Sequence, residues 1–239
     1  MATYHLSLKT GGKGAASQHE KYIGRKGAYT NREGDLVFCE HVNLPPWAHD
    51  DAQVFWKAAD KYERKNGAVY REWEGALPAE LTKGQQIELA RDWLKHVAPG
   101  KAATVAIHAP SAALGGGPQP HFHIMVSDRV MDGIERSPEQ HFSRYNPMSP
   151  AKGGCKKDSG GKTPIVLHNE LKETRRAWAE LTNEHLERHG HTARVDHRSH
   201  KDRGLEATPG KHLGPARVRR LQEVVKSTMN VSPEPSTLG

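Results

Sequence analysis

The sequence predicts an α+β fold with a central, mainly antiparallel β-sheet, helices packed on one face and a candidate metal site on the other. Segments in which apolar residues alternate, which is typical of strands, are interspersed with segments of helical periodicity. Two strands, residues 104–108 and 121–127, are joined by a glycine- and proline-rich loop without a helix, so we expect them to pair antiparallel. This connection favours an antiparallel sheet over a parallel, doubly wound one.

The composition is that of one large or two small basic domains. The 239 residues are 35% hydrophobic and 26% charged, which excludes the disordered class. There are 35 Lys and Arg against 28 Asp and Glu, a net charge of +7 that favours a polyanionic partner such as nucleic acid. Two cysteines are too few for a disulfide framework, and the sequence shows neither a signal segment nor an apolar run long enough for a membrane span. We therefore expect a soluble, cytoplasmic protein.

The first half of the chain alternates between strands and helices. Tyr4, Leu6 and Leu8 share one face of a half-buried strand over residues 3–9. Ser17 and the glutamate three residues later match the S-x-x-E capping box, which predicts a short helix carrying Tyr22. The patterns then predict a strand over 36–41, a helix from about 51 that stops at 66–67, a strand over 69–77, and a helix with a T-x-x-Q capping box at 82–85.

The second half is predicted to contain the strand pair and two further helices. The patterns indicate a short helix within 137–146, a basic flexible loop over 149–164, a long amphipathic helix over 169–190, and basic edge elements at 193–204 and 212–220. We expect residues 1–225 to form the functional domain and residues 226–239 to form a disordered tail.

Three histidines stand at the two ends of the loop between the paired strands. His108 precedes the loop, and His121 and His123 follow it. Because they alternate with the apolar residues of both strands, we expect the three side chains to share the face away from the core. Glu72 and Glu74, spaced i, i+2 on the 69–77 strand, are candidates for the same face. Three imidazoles can bind a divalent transition ion and leave positions open for a substrate, although three plain surface histidines remain an alternative.

A metal site of this kind allows more than one chemistry. Water activation would use a nearby carboxylate as base, and the H-E-x-x-H motif of many zinc hydrolases is absent. Covalent catalysis by a side chain is the alternative, with Tyr22 as a candidate nucleophile and Tyr29 as its competitor. A non-catalytic basic DNA-binding module is also open. A cupin-like protein is disfavoured because the glutamate expected after His-x-His is missing from "HIMVSDR".

Ordered motifs along most of the chain point to one family. They are "YHLSLKTG", "EKYIGRKGAY", "YREWEGALPAELT", "PHFHIMVSDR", "DGIERSPEQHFSRYNP", "AWAELTNEHLERHGH" and "PGKHLG". Together they span about residues 3–215 and resemble the MobA/MobL family of plasmid mobilization relaxases, including the order in which the tyrosine precedes the histidine motif.

The resemblance implies a fold, an activity and a set of residues. Members of this family are HUH (His-hydrophobic-His) endonucleases with an RRM-like palm, which nick one strand at the plasmid origin of transfer. They attach covalently to the 5′ phosphate through a tyrosine and rejoin the strand after transfer. The resemblance implies Tyr22 as nucleophile, supporting roles for Glu72 and Glu74, and a divalent ion, Mn²⁺ or Mg²⁺, held by His108, His121 and His123.

The implied partner is single-stranded DNA of the origin, with or without a hairpin, in the cytoplasm of a bacterium. Basic residues are expected to contact its phosphates, with Arg25, Lys26, Lys152, Lys156 and Lys157 as candidates. Accessory mobilization proteins and a type IV secretion coupling protein are further expected partners, without membrane insertion or a small-molecule cofactor. Two features depart from the family pattern: the histidine loop over 109–120 is long, and the 239 residues do not include the primase or helicase domain that many members carry.

Overall fold

The computed structural model describes residues 3–112, 117–206 and 214–229. Within these ranges the strands are β1 Leu6–Gly11, β2 Leu36–Val42, β3 Tyr70–Ala76, β4 Lys101–His108, β5 His121–Val130 and β6 Lys156–Lys157. The α-helices are α1 Ala16–Ile23, α2 Ala52–Tyr62, α3 Lys83–Val97, α4 Pro138–Phe142, α5 Pro164–Arg188 and α6 Gly214–Met229. The chain divides into a larger unit, residues 1–109 with 119–197, and a smaller unit, residues 110–118 with 198–239.

The strands of the larger unit form one antiparallel sheet in the order β1-β3-β5-β4-β2, and β6 pairs with the end of β5. The predicted strand pair becomes the β4–β5 hairpin, in which His108 lies opposite His121. On the other side of β5, Glu74 lies opposite His123. The predicted antiparallel α+β architecture is confirmed, and the register brings the candidate residues to one end of the central strands.

One face of the sheet packs against α3 and α5. Trp93 of α3 and Trp178 of α5 lie 5.1 Å apart between ring centroids, and Phe122 of β5 packs against Trp178 at 5.0 Å. The start of α3 is the predicted capping box, because Thr82 Oγ1 accepts from the Gln85 N–H and the Gln85 side chain accepts from the Thr82 N–H. This face is the core that the alternating apolar residues predicted.

The opposite face is also partly covered, which corrects the prediction that helices pack on one face only. Trp56 of α2 and the helix α1 belong to a second apolar cluster with Tyr70, Ala106 and Met125 of the sheet. These positions continue the alternation of the histidines, since Ala106 is two residues from His108. Because this part of the sheet face is apolar, burying it under α1 and α2 is favourable. The polar end of the face, which carries the histidines, forms the candidate site.

The start of α1 is capped differently from the prediction. The cap residue is Ala15, which makes no side-chain cap, and Ser17 lies inside the helix. Instead the Asp60 carboxylate, from α2, accepts hydrogen bonds of 2.8 to 3.0 Å from the N–H groups of Gly14, Ala16 and Ser17. The S-x-x-E prediction is therefore wrong, because the helix begins before Ser17 and a carboxylate from a distant helix accepts from the N–H groups at its start.

The segment 149–164, predicted as a flexible loop, is held by two buried arginines, one on β5 and one in the connection that follows it. Arg136 Nε donates to the Gly153 carbonyl at 2.9 Å, and Arg129 Nη1 donates to the Cys155 carbonyl at 2.7 Å. Helix α5 then begins at Pro164, five residues before the predicted start, because Thr163 caps it and a proline fits the first helical turn.

The smaller unit contains a bridge between Ser111 and Pro118 and the helix α6. The predicted basic element at 193–204 has bends and turns rather than a helix or strand, and part of the 212–220 element lies outside the described residues. The predicted tail begins inside α6, and residues 230–239 lie outside the described residues. Across the described part of the chain, no helix combines the length and apolar character needed to cross a membrane.

Candidate metal centre and tyrosine

The three predicted histidines meet at the loop end of the β4–β5 hairpin. Their ring centroids lie 5.5 Å (His108 to His121), 4.9 Å (His108 to His123) and 5.2 Å (His121 to His123) apart. One potential ligand atom from each residue lies within 4.8 Å of the others. The chain therefore has a cluster of three imidazoles that could hold a metal ion.

Hydrogen bonds orient each imidazole of this cluster. In each ring one nitrogen faces an oxygen that can only accept, so that nitrogen carries the proton and the other keeps its lone pair. Outer partners of this kind are typical of metal-binding histidines. The bonds are His108 Nε2 to the Ile23 carbonyl at 2.7 Å, His121 Nδ1 to the Gln119 carbonyl at 2.9 Å, and His123 Nδ1 to Glu72 Oε1 at 2.8 Å.

Burial keeps two of the three imidazoles, His108 and His121, in the neutral form that binds cations. His108 is fully buried, and this burial lowers its pKa to about 4. Burial also lowers the pKa of His121. Neutral imidazole nitrogens suit first-row divalent ions, so the donor set fits such an ion. The unprotonated Nδ1 of His108 accepts a hydrogen bond from Arg25 Nη2 at 3.2 Å. An ion bound at this nitrogen would replace that contact.

Glu72 fixes the imidazole of His123. Its Oε1 accepts from His123 Nδ1 and from His19 Nε2, both at 2.8 Å, and the residue is 2% exposed. Burial alone would raise the pKa of Glu72, but the hydrogen bonds from His123 and His19 outweigh it and lower the pKa to about 2. An ionised carboxylate with an oxygen shared by two imidazoles is suited to position His123 rather than to accept a proton.

Glu74 lies on the same face of β3 but has a different partner. Its carboxylate accepts a short hydrogen bond from Lys9 Nζ of the neighbouring strand. Burial opposes ionisation, and the Lys9 hydrogen bond overcomes this and lowers the pKa of Glu74. Glu72, Glu74 and His123 also offer ligand atoms within 4.8 Å of one another. Both predicted glutamates therefore lie beside the cluster, and both are ionised at neutral pH.

Tyr22 of α1 lies against this cluster. Its ring makes an edge contact with the His123 ring at 6.4 Å between centroids and stacks on His19 at 5.9 Å. Arg25 Cζ lies 4.9 Å above the Tyr22 ring. Tyr29, the competitor, contacts the Tyr22 ring edge at 5.4 Å. Of these two rings, Tyr22 is the one with a described contact to a histidine of the cluster.

Three residues near the site were not predicted from the sequence. His19 donates a hydrogen bond to Glu72. The sequence could have identified it, because His19 precedes Tyr22 by three residues and therefore lies on the same face of α1. Lys9 faces the site because it sits in the alternating pattern of β1, opposite Glu72 in the register. Asp35 holds Arg25 from the end of a 3₁₀ helix, Gly27–Asp35, that carries no recognisable motif.

Two predicted DNA-binding residues have partners inside the protein. Arg25 is 5% exposed and forms two hydrogen bonds with Asp35, from Nε at 2.8 Å and from Nη2 at 3.0 Å. The structure thus places Arg25 within the site rather than on the surface. Lys26 is exposed, and its amine donates to the buried Glu20 carboxylate at 2.7 Å.

The other predicted basic residues lie around β6. Lys152 and Lys156 are exposed, whereas Lys157 donates to the Ala68 carbonyl at 2.6 Å. Burial lowers the pKa of Lys157 despite the neighbouring Glu63. A cavity of about 420 Å³ next to β6 brings further basic and aromatic groups to these lysines, and its lining includes Arg64, Arg129, Arg144, Tyr145, Lys156 and Lys157.

Fold and site together define an α+β protein with a His-hydrophobic-His centre on its central strand and a helix tyrosine beside it. The MobA/MobL family model matches residues 13–223. The chain therefore belongs to the MobA/MobL family, which confirms the resemblance of its motifs.

Relatives agree with this assignment. The chain is 49% identical over 208 residues to the 43 kDa relaxation protein of Salmonella typhimurium, a match that covers 86% of this chain and 56% of that protein. It is 44% identical over 220 residues to mobilization protein A of Escherichia coli, covering 90% of this chain and 30% of that protein. The chain thus spans about half or less of the length of these relatives.

A solved structure supports the fold. It was reported as "Molecular Basis of Vancomycin Resistance Transfer in Staphylococcus aureus" and superposes with a TM-score of 0.61 at 23% identity. The match covers 83% of this chain and 100% of that one. At this identity the likeness shows a common fold.

Proposed function

We propose that this chain is a relaxase that nicks one strand of plasmid DNA at the origin of transfer and later rejoins it. The names of its relatives, a relaxation protein and a mobilization protein, support this function. The observation that carries the proposal is the edge contact between Tyr22 and His123, because it sets a potential nucleophile beside the three imidazoles. Residues 1–225 would form the nicking domain.

In this proposal the Tyr22 oxygen attacks the scissile phosphorus and the 3′ oxygen of the preceding nucleotide leaves. The products are a 5′-phosphotyrosine and a free 3′-OH, and attack by that hydroxyl reverses the step and rejoins the strand. Lys9 and Arg25 both interact electrostatically with Tyr22 and would stabilise negative charge as it develops on the phenol oxygen. Glu74, ionised beside Lys9, is the candidate acceptor for the phenol proton.

The three histidines would hold a divalent ion, with Mn²⁺ or Mg²⁺ as the proposed species. Such an ion, when bound, polarises the phosphate and stabilises the charge that grows on its oxygens. Imidazole donors favour Mn²⁺ over Mg²⁺ in affinity. Glu72 would keep His123 in the orientation that presents Nε2, and His108 and His121 are neutral near pH 7.

Single-stranded origin DNA is the proposed partner, since a duplex would hide the phosphate from a site on a sheet face. The cavity beside β6 would bind the strand, with Arg64, Arg144 and Lys156 near phosphates and Tyr145 available for stacking. His123 and Asp128, which lines this cavity, are five residues apart on β5. At a strand rise of about 3.4 Å per residue, the histidine cluster and the cavity are roughly 17 Å apart along β5. Several nucleotides of a single strand would span this distance. Accessory mobilization proteins, a secretion coupling protein and action in the cytoplasm complete the proposal.

The proposal is tested by incubating the chain with Mn²⁺ and single-stranded origin DNA labelled at either end, followed by a denaturing gel. We expect cleavage with protein attached to the 5′ side of the nick. Tyr22→Phe should abolish cleavage and adduct while leaving DNA affinity nearly unchanged, and Tyr29→Phe is the matched control that retains both. Cleavage without an adduct would indicate a water-using phosphodiesterase, and no cleavage with binding intact would indicate a DNA-binding module. An adduct that survives Tyr22→Phe and is lost with Tyr29→Phe would move the nucleophile to Tyr29.

A further inference from the structure

A second group of histidines and carboxylates lies between α3 and α5. Glu88 and Asp92 are four residues apart on α3, and His185 and His189 are four residues apart at the end of α5. Because i, i+4 positions share one face of a helix, each helix presents a pair to the other. These helices pack on the sheet face opposite the three-histidine cluster, so the group has no part in the nicking site.

His185 is held in the way that metal-binding histidines are held. Its side chain is completely buried, and its Nε2 lies 3.2 Å from Asp92 Oδ2. Because the carboxylate accepts, Nε2 carries the proton and Nδ1 keeps its lone pair. That Nδ1 is buried without a hydrogen-bond partner among the described residues. A buried polar atom without a partner is rare and costly, which points to a missing ligand.

His189 and Glu88 provide the complementary donors. His189 Nε2 is also buried without a hydrogen-bond partner in the described part of the chain, and it lies 3.5 Å from Glu88 Oε2. That distance is in the range of an ion pair and is longer than an ordinary N–H···O hydrogen bond. Glu88 Oε1 is bound by Arg188 Nη1 at 3.0 Å, so Oε2 remains for another partner. One ligand atom from each of Glu88, His185 and His189 lies within 4.8 Å of the others.

We propose that Glu88, His185 and His189 form a second metal site, which binds a divalent transition ion such as Zn²⁺ and links α3 to α5. Two imidazoles and one carboxylate form a known zinc donor set, whereas Mg²⁺ prefers oxygen ligands throughout. Asp92 acts as the outer carboxylate that orients His185 and helps to offset the charge of the ion. The site joins two helices of the core, so its effect is on stability and not on DNA chemistry.

Calorimetric titration of the whole chain with Zn²⁺ tests this proposal, with stoichiometry as the readout. The wild type should bind two equivalents, one at each cluster. Glu88→Gln combined with His189→Gln should remove one equivalent and also remove the rise in melting temperature that this equivalent produces. Both residues are partly exposed, so the fold should tolerate these changes. His168→Gln, an exposed histidine on the same helix, is the matched control and should keep two equivalents.

A separate variant identifies the remaining equivalent. His121→Ala should remove the equivalent of the three-histidine cluster and retain that of the helix site. The proposal is overturned if the second equivalent persists in the Glu88→Gln, His189→Gln protein, or if the wild type binds a single equivalent that His121→Ala abolishes. Neither result would affect the proposed relaxase activity, which is read separately from the covalent adduct.

Discussion

Glu72→Gln is the substitution that separates positioning of the metal centre from proton transfer. Oε1 of Glu72 accepts from His19 and from His123 at 2.8 Å each, and the side chain is 3% exposed. Glutamine keeps the shape and one acceptor oxygen but loses the charge, so His123 is held less firmly. The glutamine carbonyl oxygen can take the place of Oε1 and accept from both imidazoles, so the substitution removes the negative charge and leaves two weaker, neutral hydrogen bonds.

The expected loss in Mn²⁺ affinity is about 10- to 100-fold, the range for outer partners of metal ligands. This corresponds to about 1.4 to 2.7 kcal/mol of binding free energy. Glu74→Gln is the matched control, because Glu74 is paired with Lys9 and has no described hydrogen bond to a histidine. This partly exposed ion pair contributes at most about 1 kcal/mol to stability, so the control should stay folded, and its Mn²⁺ affinity should fall less than that of Glu72→Gln.

Calorimetry with Mn²⁺ measures both affinities, and circular dichroism checks that the variants are folded. Because Glu72 acts through His123, saturating Mn²⁺ should restore DNA cleavage by Glu72→Gln to nearly the wild-type rate. Wild-type affinity in Glu72→Gln would refute the positioning role. Cleavage that stays low at saturating Mn²⁺ would show instead that Glu72 takes part in proton transfer.

Three further predictions concern DNA binding, the start of α1 and acid stability. Affinity for single-stranded DNA should fall with salt, with a slope of roughly −3 to −4 in a plot of log affinity against log salt concentration. This slope follows from about four to six phosphate contacts at about −0.7 each. Fluorescence anisotropy across a salt series measures the slope, and a value near zero would contradict DNA binding through phosphates. Asp60→Ala removes the carboxylate that caps α1 and should lower the free energy of unfolding, measured in urea, by about 1 to 2 kcal/mol. Ser17→Ala should lower it little. Equal effects of the two substitutions would show that Ser17 caps the helix after all. Burial, with the charges of Arg129 and Arg136, lowers the pKa of His141 from 6.5 to about 4, so the unfolded chain takes up the proton first. The stability from neutral His141 is therefore present above pH 6.5 and lost as the pH falls to about 4, by about 3 kcal/mol. His141→Leu should show a correspondingly smaller loss in urea titrations across this range, and an unchanged pH dependence would contradict the assignment.

Capping illustrates how far local sequence could predict this fold. The T-x-x-Q box at Thr82 and Gln85 was predicted correctly, because both partners lie within one helical turn. The S-x-x-E box at Ser17 was wrong, because the helix begins before Ser17 and Asp60 of another helix accepts from its first N–H groups. The motif was present in both cases, and competition from a residue distant in sequence decided the outcome.

The sequence by itself determined the strands, the hairpin and the shared face of His108, His121 and His123. Alternation and turn composition depend on neighbours along the chain, so these features can be recognised locally. Only the tertiary structure decided what surrounds the histidines, such as the burial of Arg25 against Asp35. It likewise decided that α1 and α2 cover part of the site face. The physical reason is that apolar periodicity identifies the buried side of a helix but not the sheet face it covers, and an ionisable side chain shows its partner only when distant segments meet.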